Sequence, residues 1–230
     1  MLSTHILFGE WIDKLIVSCI FITLPLRIIV VNCQSIRNKK CDIDNLIEIT
    51  KPDIMIGNES WLHKDIDSTE VFPQWYTVYR KDRKTDAHGG VFLLISNKYL
   101  SSEPHDLKSD DTSEQLWVKV QIIGLPDLYI GSFYKPPNKT EEEYLTHLGK
   151  SILRIRHSEN CHLWLGGYFN PGEIDSNNYS IKQKAYNTKQ CQQLIDICQD
   201  NYLEQVVTTP THYTETSQSI FDLFLLITAV

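Results

Sequence analysis

The sequence predicts an α/β sandwich, in which two packed mixed β-sheets carry helices on their outer faces. Two observations support this. Short apolar, β-branched segments alternate with amphipathic helical ones along the chain. No internal repeat, low-complexity tract or long linker interrupts them. The 230 residues suffice for one large domain with a sizeable core.

Residues 28–31 (Ile-Ile-Val-Val) read as a buried strand. Residues 42–50 carry Ile43, Leu46, Ile47 and Ile49 as a helical stripe, and Pro52 stops that helix. A second buried strand spans 53–58. Four more are expected at 76–79, 91–96, 116–123 and 128–133, with turns at Gly89-Gly90 and Pro126-Asp127. Thr140 is a suitable N-cap, and Glu141, Glu142 and Glu143 favour the helix dipole in the first turn of a helix reaching residue 155. Residues 161–165 form a strand that ends in Gly166-Gly167. A helix at 185–200 and a strand at 220–227 complete the pattern.

Composition narrows the function. With 42% hydrophobic and 22% charged residues, the chain reads as an ordinary globular domain. A net charge of −7 argues against a protein that coats nucleic acid by bulk positive charge. It leaves room for an enzyme that reaches DNA through a local basic rim and a bound cation. The six cysteines (19, 33, 41, 161, 191 and 198) form no CxxC pair, which argues against a zinc ribbon. They read as free thiols in a reducing compartment, with Cys191 and Cys198 on one helix face. An intracellular location, nuclear or cytoplasmic, fits this pattern. The apolar run at 15–26, broken by Pro25, is shorter than the roughly 20 residues of a membrane span. Residues 1–26 are expected to be a leader outside the domain at 27–230. A signal or anchor stays open for the leader, and no membrane partner is predicted.

The chemistry concentrates at strand ends. Asn32 closes the first strand, Glu59 the second, and Tyr134 a later one before Pro136-Pro137. Asn170 follows Gly166-Gly167-Tyr168-Phe169, and Asp222 sits in an apolar strand after Ser219. Each alone has a bland reading: Asn and Glu as solvated loop residues, Tyr134 as a packed turn aromatic, Asp222 as half of an ion pair. Together, the stretches NCQSIRNK, PDIMIGNESWL, YRKDRK with GGVFLLIS, SEQLWVKV, SFYKPPN, LGGYFNP, TTPTH and SIFDLFL resemble another domain. It is the endonuclease domain of non-LTR retrotransposons, a branch of the exonuclease–endonuclease–phosphatase superfamily.

The resemblance implies a four-layer sandwich and a nuclease that nicks DNA phosphodiester bonds with Mg²⁺ or Mn²⁺. Glu59 takes the part of the metal-holding carboxylate, with Asn32 beside it in the metal or phosphate shell. Tyr134 takes that of a phenol donating to the scissile phosphate. Asn170 would position the phosphate or attacking water, and Asp222 would orient a catalytic histidine. Thr211 and Ser219 would contact DNA. Arg80, Lys81 and Arg83 read either as a DNA-facing rim or as a solvated face. DNA is the partner the resemblance implies, and the loss of a downstream reverse transcriptase domain is left open.

The chain departs from the family in two places. Tyr168 stands where the family has the Asp of Gly-Asp-Phe-Asn, the group that aligns or deprotonates the attacking water. A phenol with pKa near 10 does not do this at neutral pH. The family's terminal Ser-Asp-His triplet is also absent from the sequence, so a missing closing strand is expected. The expectation is an impaired or inactive nuclease. The alternatives are a nuclease still competent through Glu59, Tyr134 and Asn170, and a non-catalytic module that binds nucleic acid or protein.

Overall fold

A computed structural model of the chain describes all residues except 1, 10, 11, 21–24, 85–87, 109–112, 137–142, 159, 171–173, 176–179, 184, 186, 208–210, 214–217, 221 and 228–230. For 2–9, 12–20, 25, 212, 213, 218 and 219 it describes the backbone alone. In chain order the elements are β1 (Leu2–Gly9), β2 (Ile12–Ile20), β3 (Pro25–Asn32), α1 (Lys40–Thr50), β4 (Ile54–Asn58), α2 (Ser68–Val71), β5 (Tyr76–Lys81), β6 (Val91–Ser96) and β7 (Leu100–Ser102). There follow β8 (Glu114–Gln121), β9 (Asp127–Tyr134), α3 (Glu143–Arg156), β10 (Cys161–Tyr168), β11 (Ile174–Asp175), β12 (Ser180–Ile181), α4 (Thr188–Asp200), β13 (Glu204–Gln205), β14 (His212–Tyr213), β15 (Gln218–Ser219) and β16 (Asp222–Ile227).

Two six-stranded mixed sheets result, ordered β1-β2-β3-β4-β6-β5 and β13-β16-β10-β9-β8-β7. Strand alternation decides which side chains meet. Ile28, Val30, Ile54 and Ile56 of the first sheet face Val118, Ile130, Trp164 and Phe224 of the second, forming the central core. The opposite faces of the same strands take the helices. Ile29, Val31 and Met55 pack under Ile43 and Ile47 of α1. Phe133, Leu163 and Leu165 pack with Leu148 and Ile152 of α3 and Leu194 and Cys198 of α4. The predicted four-layer α/β sandwich is the observed one.

Several elements differ from expectation. Residues 12–20, expected in a leader outside the domain, run antiparallel to β3 from Asp13 opposite Asn32 to Ile20 opposite Pro25. A short apolar, β-branched run suits an added strand as well as it suits a leader. Ile49, expected in the buried stripe of α1, is 81% exposed; only Ile43, Leu46 and Ile47 reach the sheet. Strand β10 does not end at the glycine pair but pairs with β9 as far as Tyr168 opposite Tyr134. Gly167 makes this possible. Its φ is +148°, and a Cβ there would lie 1.9 Å from the Phe133 carbonyl oxygen. Thr140 lies outside the described residues. Cys191 and Cys198 are buried free thiols on one face of α4, as predicted.

Candidate active site

Strands β3 and β4 run parallel and in register, Asn32 opposite Asn58, so their ends emerge together. The loops that follow stay paired. The Cys33, Ser35 and Ile36 amides donate to the carbonyls of Asn58, Glu59 and Ser60 at 2.9, 3.0 and 3.1 Å. Gln34, Ser35, Glu59 and Trp61 have φ of 42°, 81°, 51° and 53°, a cluster of left-handed non-glycine residues that local packing must sustain. This geometry turns the Glu59 side chain toward Asn32, whose Nδ2 donates to Glu59 Oε1 at 2.9 Å. The Asn32 amide oxygen accepts from the Gln34 amide at 3.3 Å.

The second sheet delivers Tyr134 to the same place. A polar bridge buried between the sheets sets the alignment. Asn58 Nδ2 donates to the Phe133 carbonyl at 3.0 Å and to Ser132 Oγ at 3.3 Å, and Ser132 Oγ donates to the Gly57 carbonyl at 3.1 Å. The Tyr134 phenol lies close enough to the Glu59 carboxylate to feel its charge. Burial, and then the negative charges of Glu59 and Glu114, push its pKa well above the usual tyrosine range, with Arg83 opposing. Tyr134 thus remains a protonated donor at any physiological pH.

Arg83 and Glu114 brace this corner. Arg83 Nε donates to Glu114 Oε1 at 2.8 Å, its Nη2 donates to the same oxygen, and its guanidinium carbon lies 5.7 Å from the Tyr134 ring centroid. Glu114 Oε2 accepts from the Gly90 amide. The Gly89 and Gly90 carbonyls accept from the Trp61 and Ser60 amides, which ties the brace to the loop that carries Glu59.

Tyr168 stands beside Tyr134 across the parallel β9–β10 pair and opposite Asp222 across the antiparallel β10–β16 pair. The two phenol rings are 6.2 Å apart. Buried Thr211 accepts the Asp222 amide on its hydroxyl at 3.1 Å. Past β10 the chain turns at Asn170, with φ of 54°, and Asn170 Nδ2 donates to the Lys135 carbonyl at 3.0 Å. The Lys135 amide donates to the Tyr168 carbonyl at 2.9 Å.

The fold matches solved structures. The endonuclease domain of TRAS1, a telomere-specific non-LTR retrotransposon, superposes with a TM-score of 0.65 at 16% identity, covering 88% of this chain and 84% of that one. An AP endonuclease from Leishmania major gives 0.64 at 10% identity, covering 85% and 77%. The Xenopus laevis APE2 catalytic domain gives 0.60 at 12% identity, covering 86% and 81%. The chain shares its fold with these endonuclease structures. No protein-family model and no curated protein sequence matches the chain.

Within this fold, the residues singled out from sequence separate into groups. Asn32 bonds Glu59, and Tyr134 stands near the same carboxylate. Tyr168 and Asp222 adjoin it through strand register, and Asn170 through the Lys135 backbone. Thr211 supports the Asp222 backbone rather than standing exposed. Ser219 pairs with His212 in the β14–β15 hairpin, and its side chain lies outside the described residues. Arg83 pairs with Glu114, and Arg80 bonds Asp82 at 3.0 Å and the His63 carbonyl at 2.9 Å. Asn58 and Glu114 carried no recognised signal. A polar residue at the buried end of an apolar strand was the available clue to both.

Among the described residues no cluster of three or more His, Cys, Asp or Glu side chains gathers as metal ligands. The oxygen donors near Glu59 nevertheless suit magnesium or manganese in kind. They are one carboxylate and one amide, and hard cations of this size keep several waters and need only one or two protein carboxylates. No helix among the described residues is long and apolar enough to cross a membrane.

Proposed function

We propose that the chain is a phosphodiesterase of the DNA-nicking type whose phosphate-handling half is intact and whose water-activating position is lost. The observation that carries this is the gathering of Asn32, hydrogen-bonded to Glu59, and Tyr134, whose phenol feels the Glu59 carboxylate, with Tyr168 next to Tyr134 in register. The neighbouring folds, a retrotransposon endonuclease and AP endonucleases, favour DNA as the substrate.

Glu59 would hold Mg²⁺ or Mn²⁺ with Asn32 alongside, and the cation would offset charge growing on the phosphate oxygens. Tyr134, kept protonated by burial and its carboxylate neighbours, donates its phenolic hydrogen to a phosphate oxygen. Asn170 would orient the phosphate, its own amide fixed on the Lys135 carbonyl. Asp222 is steadied through Thr211. Tyr168 takes no proton from water at neutral pH, so attack proceeds without a general base, a deficit of about 10²–10⁴ in rate.

The second reading is a non-catalytic DNA-binding module, favoured by Tyr168 filling the place of the acid. Nicking of supercoiled plasmid in magnesium, by the parent and by Glu59→Ala, separates the two. Slow nicking that vanishes in Glu59→Ala supports the impaired nuclease. No nicking by a folded parent, with a gel shift on DNA in chelator, supports the module.

A further inference from the structure

A single row of polar side chains crosses the second sheet. Asp222 of β16, Tyr168 of β10, Tyr134 of β9 and Glu114 of β8 stand opposite one another in register. Strand alternation puts the row on the face turned toward the first sheet, where Tyr134 belongs to the central core and Tyr168 packs against it. The row also lies at the end of the sandwich that carries Asn32 and Glu59. Asn58, the register partner of Asn32, bonds the carbonyl of Phe133, which precedes Tyr134. Two phenols therefore stand side by side in the candidate site, their ring centroids 6.2 Å apart and their planes 33° from parallel.

Packing alone does not call for the second hydroxyl. A phenylalanine at 168 would keep the ring contact, and a tyrosine adds a polar tip to the same apolar body. Tyr134 is buried, whereas Tyr168 is half-buried and so more open to an incoming ligand. A tyrosine hydroxyl is protonated at neutral pH and has a hydrogen to donate, and backbone phosphate oxygens commonly accept from tyrosine. Both ends of the row are acidic, with Glu114 offset by Arg83. A further carboxylate at 168 would set negative charge against a phosphate, whereas a phenol offers it a donor.

We infer that Tyr168 is a phosphate-binding residue, its phenol standing beside that of Tyr134 to give a second hydrogen bond to one DNA backbone phosphate. The location of that phosphate at Tyr134 rests on the proposed function. The role of Tyr168 is an addition to it: the residue that removes water activation strengthens the hold on DNA.

The test is the affinity for a short labelled DNA duplex, measured by fluorescence anisotropy in magnesium. Tyr168→Phe should bind about tenfold more weakly than the parent, the loss of one hydrogen bond to a charged group, with its thermal midpoint little changed. Tyr168→Asp should bind more weakly still while nicking faster, a pair of opposite changes that lost packing does not produce. Unchanged affinity in Tyr168→Phe beside weakened affinity in Tyr134→Phe overturns the role of Tyr168 and leaves the proposed function standing. Unchanged affinity in both overturns the phosphate site at Tyr134, and the role of Tyr168 with it. Where Tyr168→Phe does not fold, a single 3-fluorotyrosine at 168 reads the same contact. Its ¹⁹F signal is expected to shift saturably with added duplex, and an unmoved signal overturns the role.

Discussion

Removing Arg83 tests whether the corner under Tyr134 depends on a desolvated ion pair. The Arg83 and Glu114 side chains are 14% and 5% exposed, so neither charge is well solvated. Arg83→Met takes the guanidinium from the buried Glu114 carboxylate, and Glu114→Leu takes that carboxylate from Arg83. Breaking one side of a buried pair costs about 3–5 kcal/mol, mostly as the penalty of the orphaned charge. Replacing both partners with apolar groups of similar size costs far less, about 0–2 kcal/mol, because no charge is stranded. Urea denaturation of the parent, both single variants and the double variant should therefore give a coupling energy of several kcal/mol, with midpoint temperatures lowered on the order of 10 °C in the single variants only. Additivity within about 0.5 kcal/mol would refute the reasoning, since it would mean that water already screens the pair.

Further outcomes follow from the same geometry. Tyr168→Asp should raise magnesium-dependent plasmid nicking by about 10² or more, and an unchanged rate would dismiss the missing acid as the cause of impairment. Asn58→Ala removes the donor shared by the Phe133 carbonyl and Ser132 at a fully buried point, and should cost about 2–4 kcal/mol in urea denaturation. Burial pushes the thiols of Cys33 and Cys198 from an ordinary 9.0 up to about 12. The folded chain thus keeps protons that the unfolded chain sheds above pH 9. Stability should be unaffected by these groups below that pH and fall by about 1.4 kcal/mol per pH unit for each thiol as pH rises toward 12. Flattening of that decline in Cys33→Ala and Cys198→Ala is the check.

Much of the sandwich was legible because each core strand and helix carries its own period. Ile28, Val30, Ile54 and Ile56 bury one face while Ile29, Val31 and Met55 bury the other, so these strands read as continuous apolar runs. The strand-end residues Asn32, Glu59 and Tyr134 were legible because polarity interrupts those runs where the sheets end. What was not legible depends on long-range pairing. Asn58 meets Phe133 across 75 positions and Arg83 meets Glu114 across 31, and no local pattern specifies either contact. The strands at Leu2–Gly9 and Ile12–Ile20 were hidden for a related reason. An apolar run before a domain has the same composition whether it leads away from the sheet or lies along β3.

On the proposed reading, the frame of the site and its chemistry part company at Tyr168. Asn32 and Glu59 are set by the parallel β3–β4 pair, and Tyr134 by the Asn58 bridge between sheets. None of these contacts uses the residue at 168, so the frame persists whatever stands there. The position itself is half-buried, and Tyr168 packs against the central core with its ring beside Tyr134. A carboxylate there gives up that aromatic contact and enters a neighbourhood that already holds Asp222 across β10–β16 and Glu59 on Tyr134. Crowded negative charge is costly in a chain without a bound cation. Tyr168 therefore relieves a strain that a metal-loaded nuclease would accept for the sake of catalysis. On this argument Tyr168→Asp gains activity and loses stability together, and added magnesium should restore part of the lost stability in Tyr168→Asp while leaving the parent little changed.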